Sequence, residues 1–234
     1  MLKDRMDAGL LQRFEAGLDP LNPHLSKTSA KIIGYGEMST IFVINHPEQE
    51  NVAYKRMPIF RSPDEMETYE HLFEEYNTGL RNIGINVPES ASARVIPDKG
   101  NSVIYNAQER LPSASIGNAL IQKLDENSVR LLFLCVLREL KKVFASNRAR
   151  PSLTFGIDGQ ISNWAMKDYQ EGKPVTEETE LFYIDTGTPL IRKDGIEQLN
   201  PELFLRSTPS FLVWLIRLLF LEEVMTRYYD FRKV

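Results

Sequence analysis

The residues best suited to chemistry lie between Ile33 and Lys55, where a glycine pair precedes one apolar run and a lysine ends the next. Gly34-Tyr35-Gly36 stands before the run 40–44, and Val52-Ala53-Tyr54 leads to Lys55. A glycine-rich turn lets the backbone approach a ligand closely, and bare backbone N–H groups can hold phosphate oxygens. The ammonium group of Lys55 could reach the same phosphates. This stretch therefore predicts a hairpin that covers a nucleotide.

The spacing of apolar residues predicts the elements that would carry this hairpin. Ser62-Pro63-Asp64-Glu65 is typical of a helix start, because proline fits the first turn and acids favour the positive end of the helix dipole. Helical and alternating apolar spacings elsewhere predict further helices and strands. The expected helices are Leu2–Leu18, Ser62 to about Asn82, Ile116–Leu124, Ser128 to about Asn147 and about Ser210 to Tyr229. The expected strands are those of the Ile32–Arg56 hairpin, Ala93–Ile96, Ser102–Gln108 and Leu181–Asp185.

The character of the chain changes near Leu111–Ser115, a connector with turn chemistry. Strands with one helix come before it, and helices with a few short strands come after it. This order predicts an α+β fold with two lobes. We expect an N-terminal helical extension over residues 1–30, an N-lobe over 31–111 and a short helical C-lobe over 112–234. The polar stretch Lys167–Glu180 is predicted to be a solvated hairpin tip.

Composition limits the class of function. The 234 residues carry a formal net charge of −4, so no global basic field would recruit nucleic acid. The single cysteine, Cys135, excludes an internal disulfide and a cysteine zinc cluster, and the three histidines show no metal-ligand spacing. Arg217 interrupts the apolar run 211–221, which favours a buried helix over a membrane span. Because no secretory signal opens the sequence, we expect a cytoplasmic protein.

Two segments of the first half resemble the protein-kinase-like superfamily. Kinases carry a glycine loop, G-x-G-x-x-G-x-V, and a strand that ends in V-A-x-K. Gly34-Tyr35-Gly36-Glu37-Met38-Ser39-Thr40-Ile41 matches the first pattern with Ser39 at the third glycine, and Val52-Ala53-Tyr54-Lys55 matches the second. The resemblance runs in the same order from about Ile32 to Ile191. It implies a kinase-like fold with an N-terminal antiparallel sheet, one helix and a mostly helical C-terminal lobe.

The resemblance further implies an ATP site on the N-lobe. Ala53 would pack on adenine, Lys55 would contact phosphates, and a helix glutamate would hold Lys55. Glu70, Glu74 and Glu75 all remain open for that last role, with spacing slightly favouring Glu74. Backbone groups of a hinge between the lobes would bind the adenine edge. The implied nucleotide-binding residues are Gly34, Gly36, Ser39, Ala53, Lys55, Glu74, Glu75, Gln108, Glu109 and Leu111.

Three residues in the second half resemble the catalytic and metal-binding parts of kinases. Asp158 and Asn163 have the D-x-x-x-x-N spacing, in which the aspartate is the catalytic base and the asparagine binds a metal ion. Asp185 ends a predicted strand, where the second metal ligand is expected. Hard oxygen ligands of this kind suit Mg²⁺, which commonly takes one or two carboxylates together with substrate phosphates. Asn163 and Asp185 are therefore the implied ligands of Mg²⁺, and Asp158 and Lys55 are the implied catalytic residues.

The sequence also departs from regulated protein kinases. Gly156 and Ile157 stand where histidine and arginine usually precede the catalytic aspartate, and Thr186-Gly187 replaces phenylalanine-glycine. No A-P-E segment follows. The 22 positions from Asn163 to Asp185 exceed the usual gap, and the polar insert 167–180 accounts for the excess. The chain therefore looks closer to aminoglycoside, choline and lipopolysaccharide-type kinases, the small-molecule and atypical branch.

Three functions remain open. The first is an ATP- and magnesium-dependent phosphotransferase acting on a small molecule or another non-protein hydroxyl. The second is a non-catalytic kinase-like module that binds nucleotide or a partner. The third is adenylyl transfer on the same fold. The expected partners are a nucleotide and an unidentified acceptor, without nucleic acid or a membrane span.

A basic cluster within 138–150 also has two readings. As a solvated face, it would interact favourably with the end of the helix dipole. As a functional feature, it would attract an anionic acceptor towards the cleft. Its members are Arg138, Lys141, Lys142, Arg148 and Arg150.

Overall fold

The structure, a computed structural model, describes residues 2–20, 22–36, 39–97, 102–200, 202–206 and 225–234. For residues 5, 35, 36, 39, 204 and 205 it describes the backbone alone. The described residues form two compact units. The first takes those of Met1–His71, Glu89–Arg110 and Pro201–Ile216, and the second takes those of Leu72–Pro88, Leu111–Asn200 and Arg217–Val234.

A five-stranded antiparallel sheet forms the centre of the first unit. Its strands lie in the order β1-β2-β3-β5-β4. At the start of β3, buried and partly buried residues alternate over 52–55, so that successive side chains face opposite sides of the sheet. The strands are β1 (Ala30–Gly36), β2 (Ser39–Ile44), β3 (Val52–Phe60), β4 (Ser90–Val95) and β5 (Ser102–Glu109).

Two short helices, α1 (Leu2–Arg5) and α2 (Ala8–Ala16), pack on the buried face of this sheet. The ring of Phe14 lies 5.3 Å from that of Phe42, within a core that also holds Tyr54 and Tyr105. The continuous helix predicted over Leu2–Leu18 is therefore wrong in one respect. Asp7 interrupts it, because its side chain accepts a hydrogen bond from Leu10 N at 3.0 Å and caps α2.

The helix α3 (Pro63–Ile83) begins at the position that the sequence Ser62-Pro63-Asp64-Glu65 predicts for a helix start. A capping box fixes this start: Ser62 Oγ accepts from Glu65 N at 3.2 Å, and Glu65 Oε2 accepts from Arg61 N at 2.8 Å. The helix belongs to the first unit as far as His71 and to the second unit from Leu72.

Helices and short strands make up the rest of the second unit. Asp125 caps α5 by accepting from the N–H groups of Asn127 and Ser128, so the helix begins two residues before the predicted Ser128. The predicted helix Ile116–Leu124 shortens to one turn. The helices are α4 (Gly117–Leu120) and α5 (Glu126–Ala149). The strands are β6 (Leu153–Phe155), β7 (Trp164–Met166), β8 (Leu181–Tyr183), β9 (Ile191–Lys193) and β10 (Ile196–Glu197). They pair as β10-β9-β6 and as β7-β8.

The predicted α+β fold class is confirmed, with the antiparallel sheet in the N-terminal part and helices later in the chain. A further short helix, α6 (Glu202–Leu205), belongs to the first unit. Most of the final helix predicted from about Ser210 to Tyr229 lies outside the described residues; within the described part, 225–227 are helical. Across the described ranges, no helix combines the length and apolarity needed to cross a membrane.

The polar insert between β7 and β8 is less solvated than predicted. Val175 and Thr179 are buried, because Arg138 of α5 donates to the carbonyl oxygens of Glu177 and, at 2.7 Å, of Thr179. Arg138 and Lys142 also flank the buried carboxylate of Glu139, at 3.0 and 2.6 Å. These two members of the basic cluster therefore have a structural role.

Candidate functional site

Four of the predicted nucleotide-binding residues occupy one face of the first unit's sheet. Lys55 is paired with Ile41 of β2, and Ile41 is paired with Gly34 of β1. Ala53, two residues before Lys55, is paired with Gln108 of β5. Directly opposite residues of antiparallel strands project to the same side, as do residues two apart on one strand. Gly34, Lys55, Ala53 and Gln108 thus share the face opposite the α1–α2 core.

The hairpin of the glycine pair closes with Gly36 paired to Ser39. A bulge between Ile32 and Gly34 shifts the register of β1 just before this end. Glu37 and Met38, which separate Gly36 from Ser39 in the sequence, lie outside the described residues. A Cβ added at Gly34 would meet Ile41 Cδ1 at 3.6 Å, an ordinary contact. Packing within this hairpin therefore does not require glycine at position 34.

The segment predicted to be a hinge contains a boundary between the two units, since Arg110 ends a segment of the first and Leu111 begins one of the second; its role as a hinge stays a prediction. Two of its backbone donors serve the sheet. Glu109 N donates to Glu89 O at 2.9 Å, and Arg110 N donates to Asn51 O at 2.9 Å. An adenine bound here would have to use other backbone groups of the segment, such as those of Leu111.

The three glutamates considered as partners of Lys55 have different surroundings. In the first unit, Glu70 pairs with Arg94 and accepts a hydrogen bond from Ser92 at 3.2 Å. In the second unit, Glu75 pairs with Lys193 at 2.9 Å. Glu74 is exposed. The assignment of one of them to Lys55 stays a prediction.

The loop that carries Asp158 and Asn163 follows β6 in the second unit. Asp158 accepts a hydrogen bond from Gln160 N at 3.1 Å, which folds the chain back towards its own side chain. A 3₁₀ turn, Ile161–Asn163, follows, and the Asn163 side chain donates to the Asp158 carboxylate. The five-residue spacing therefore brings these two side chains into contact.

Asp185 belongs to the same cluster of side chains. It follows β8, and Ile184 N donates to Asn163 O at 2.9 Å, which ties the end of β8 to the 3₁₀ turn. The negative charge of Asp185 also acts on Asp158. The second unit thus brings Asp158, Asn163 and Asp185 together, although 22 positions separate the last two.

Two buried tyrosines hold the backbone of the Asp158 loop. Asp158 N donates to the hydroxyl of Tyr183 at 3.3 Å, and the hydroxyl of Tyr76 donates to Gly156 O at 2.7 Å. The two hydroxyl groups are also hydrogen-bonded to each other. Burial raises the pKa of both phenols far above the ordinary value, so they stay neutral and can donate.

The electrostatics of the loop suit a cation. Burial raises the pKa of Asp158 and the charge of Asp185 raises it further, while the hydrogen bond from Gln160 N, the charge of Arg227 and the hydrogen bond from Asn163 act in the opposite direction. Two interacting carboxylates beside an amide are oxygen ligands of the type that Mg²⁺ prefers. Within the part of the chain that the structure describes, no three His, Cys, Asp or Glu side chains are grouped to hold a metal. Asn163 and ligand oxygens would therefore have to complete the coordination.

The sequence reasoning missed the two tyrosines that support the site. Tyr76 lies within the predicted helix from Ser62 to about Asn82 and Tyr183 within the predicted strand Leu181–Asp185, but nothing in either context shows that the hydroxyl groups meet the Asp158 loop. The only signal was that a phenol placed among apolar neighbours needs a buried hydrogen-bond partner.

Comparisons with known proteins give a family and a structural similarity. Residues 24–233 match a family described as a family of unknown function, DUF6206. No curated protein matches the chain. Among solved structures, the chain is similar to one described as WaaP in complex with acyl carrier protein. The similarity has 13% sequence identity and a TM-score of 0.45, and it covers 87% of this chain and 90% of the other.

Proposed function

The chain belongs to this family of unknown function, DUF6206, and we propose that it is an ATP- and magnesium-dependent phosphotransferase of the kinase-like type. Its acceptor would be the hydroxyl group of a small molecule or of another non-protein substrate. The proposal rests on one observation above the others. Asp158, Asn163 and Asp185, the three residues matched to kinase motifs in the second half of the sequence, form one interacting cluster in the second unit.

The proposed roles follow from the chemistry of each group. The Asp158 carboxylate would accept the proton of the acceptor hydroxyl, and its raised pKa makes it a stronger base than an exposed aspartate. The Asn163 amide would keep that carboxylate oriented. Asn163 and Asp185 would hold Mg²⁺. When bound, ATP would supply the phosphoryl group and Mg²⁺ would neutralise its negative charge.

The first unit supports the nucleotide half of the proposal. Ala53 and Lys55 lie on a half-buried strip of β3, on the same sheet face as Gly34 and Gln108. An aromatic base could pack on the small side chain of Ala53, while the ammonium group of Lys55 would bind phosphate oxygens. Lysine binds phosphate oxygens well because its ammonium group is a compact positive charge that also donates hydrogen bonds.

A thermal-shift titration with ATP and MgCl₂ tests the proposal. Ligand at 100 times its dissociation constant should stabilise the fold by about 2.7 kcal/mol. Release of ADP across a panel of hydroxyl-bearing metabolites then tests turnover. Asp185→Asn should abolish the magnesium-dependent part of the stabilisation and the turnover. Asp194→Asn, at an exposed turn of the same unit with φ 49°, is the matched control and should behave like the parent chain.

A non-catalytic nucleotide-binding module is the second candidate, and one observation favours it. Two of the three glutamates expected to hold Lys55 pair with other cations, Glu70 with Arg94 and Glu75 with Lys193. A thermal shift with ATP that is not accompanied by ADP release from any acceptor would support the module. The absence of a shift with any nucleotide would contradict both candidates.

A further inference from the structure

Both sides of Asp158 carry a glycine that neighbouring residues approach closely. A Cβ added at Gly159 would lie 2.6 Å from Val234 Cγ1, and one added at Gly156 would lie 2.9 Å from Leu190 Cβ and 3.0 Å from Tyr229 Cζ. Distances this short require a neighbour to move. Neither glycine has a backbone φ in the left-handed region. Close packing, to which Tyr229 and Val234 of the segment 228–234 contribute, therefore explains why glycine suits these positions, and backbone conformation does not.

The segment 228–234 is itself fixed to the second unit at several points. Ile157, the residue before Asp158, donates a hydrogen bond from its N–H group to Tyr228 O at 3.0 Å. The Tyr229 hydroxyl lies 3.1 Å from Glu197 Oε1, and the guanidinium of Arg192 lies 4.0 Å from the centre of the Tyr229 ring. The ring of Phe231 packs edge-on against Phe144 of α5 at 5.3 Å. These contacts hold the segment against the Asp158 loop.

We propose that residues 228–234 are a positioning element for Asp158. They hold the 156–159 backbone from one side through Tyr228 O, Tyr229 and Val234, while Tyr76 and Tyr183 hold it through their hydroxyl groups. Because these contacts fix the backbone on both sides of Asp158, this packing would orient the loop. The catalytic consequence of this inference rests on the proposed function, whereas the structural part does not.

Phe231→Ala is the first test, because it removes the ring that seats the segment on α5. Arg232→Ala is the matched control: its side chain is 87% exposed and pairs with Asp230. Hydrogen exchange of the Ile157 amide, which donates to Tyr228 O, reports on the loop without any need for activity. We expect this exchange to be at least ~10-fold faster in the Phe231→Ala chain, which corresponds to a fall of ~1.4 kcal/mol or more in the free energy of opening. Exchange in the control should be unchanged.

Kinetics give a second readout that a general loss of stability would not produce. For the phosphotransferase, a displaced base should lower kcat by about 10- to 100-fold while KM for ATP stays within a factor of two. Phe231→Tyr keeps the ring and should restore kcat. If Phe231→Ala fails to fold, Val234→Ser is a milder change to the face that meets Gly159.

The outcomes separate this inference from the proposed function. Equal Ile157 exchange in the Phe231→Ala, Val234→Ser and Arg232→Ala chains would overturn the inference, whatever the activity. Faster exchange in the first two, with no turnover even in the parent chain, would support the positioning of the loop while the proposed function fails. Faster exchange together with an unchanged kcat would overturn the catalytic role of the segment.

Discussion

At the scale of single residues, spacing predicted the acidic site and could not predict what holds it. Asp158 and Asn163 are five positions apart, and their side chains meet because a turn and a 3₁₀ segment fill that interval. Tyr76, by contrast, bonds to a carbonyl group 80 positions away. A contact of that range depends on how elements pack, and a tyrosine on an apolar helix face carries no mark of its partner.

Tyr76→Phe tests this support at the level of one atom. The change keeps the ring and removes the hydroxyl group, so the buried Gly156 carbonyl loses its donor and Tyr183 loses its acceptor. Leaving such groups unpaired costs about 1–3 kcal/mol. The melting temperature should fall by about 2–4 °C for each kcal/mol in a chain of this size. The measurement is calorimetric or chemical unfolding at neutral pH.

Tyr169→Phe, in the polar insert of the same unit, is the control for the Tyr76 variant. Tyr169 is half-exposed, so its hydroxyl group can exchange one hydrogen bond for water. Its removal should change stability by less than ~0.5 kcal/mol. Equal stability of the two variants would mean that the Tyr76 hydroxyl does not support the loop.

At the scale of elements, the sequence predicted where helix α3 is capped but did not predict the exact extent of every element. The start of α3 could be predicted from Ser62-Pro63-Asp64-Glu65, because capping and helix-dipole preferences act within one turn. The predicted N-terminal helix, however, splits at Asp7, and the predicted solvated insert buries Val175. In both places a side-chain hydrogen bond competes with the pattern: Asp7 caps a new helix, and Arg138 draws the insert onto α5.

The start of α3 carries a pH-dependent ion pair. Hydrogen bonds from Arg206 lower the pKa of Glu65 from 4.5 to about 2. Because the pKa in the folded state is depressed, the ionised carboxylate stabilises the fold above about pH 4.5. That contribution declines as the pH falls from about 4.5 towards 2. Glu65→Gln should therefore destabilise the chain at pH 7 and make little difference near pH 2.

The expected cost of Glu65→Gln at pH 7 is about 1 kcal/mol, at the upper end for an ion pair that solvent partly screens, since Glu65 is 31% exposed and Arg206 is 14% exposed. Urea unfolding at pH 7 and at successively lower pH measures it. Glu67→Gln is the control on the same helix, where the carboxylate is 58% exposed and its ion pairs with His71 and Arg94 are 3.8 Å long. A Glu65→Gln deficit that persists unchanged at low pH would contradict the assigned pKa.

At the scale of the whole molecule, the order of elements predicted the fold class, because alternation and helical spacing are local properties of the sequence. The order also suggested which residues would bind one ligand. In the structure these residues form two groups, one in each unit. Gly34, Ala53, Lys55 and Gln108 share a sheet face of the first unit. Asp158, Asn163 and Asp185 share a cluster in the second unit. The acceptor could not be predicted, because no motif in the sequence encodes its recognition.

If one ligand uses both parts, substitutions in the two units must be coupled through it. Lys55→Met removes a charged donor to phosphate, and Asp185→Asn removes a metal ligand. Each should weaken the binding of ATP with magnesium about tenfold or more, since hydrogen bonds to charged groups contribute about 1.5–3 kcal/mol. The double variant should lose less than the sum of the two losses, because magnesium and Lys55 would act on the same phosphates. Isothermal titration with and without magnesium measures all four chains of the cycle.

Lys31→Met, an exposed lysine of β1, combined with Asp194→Asn should leave the affinity unchanged. Strictly additive losses, or a Lys55→Met chain that binds as tightly as its parent, would mean that the two units do not serve one nucleotide.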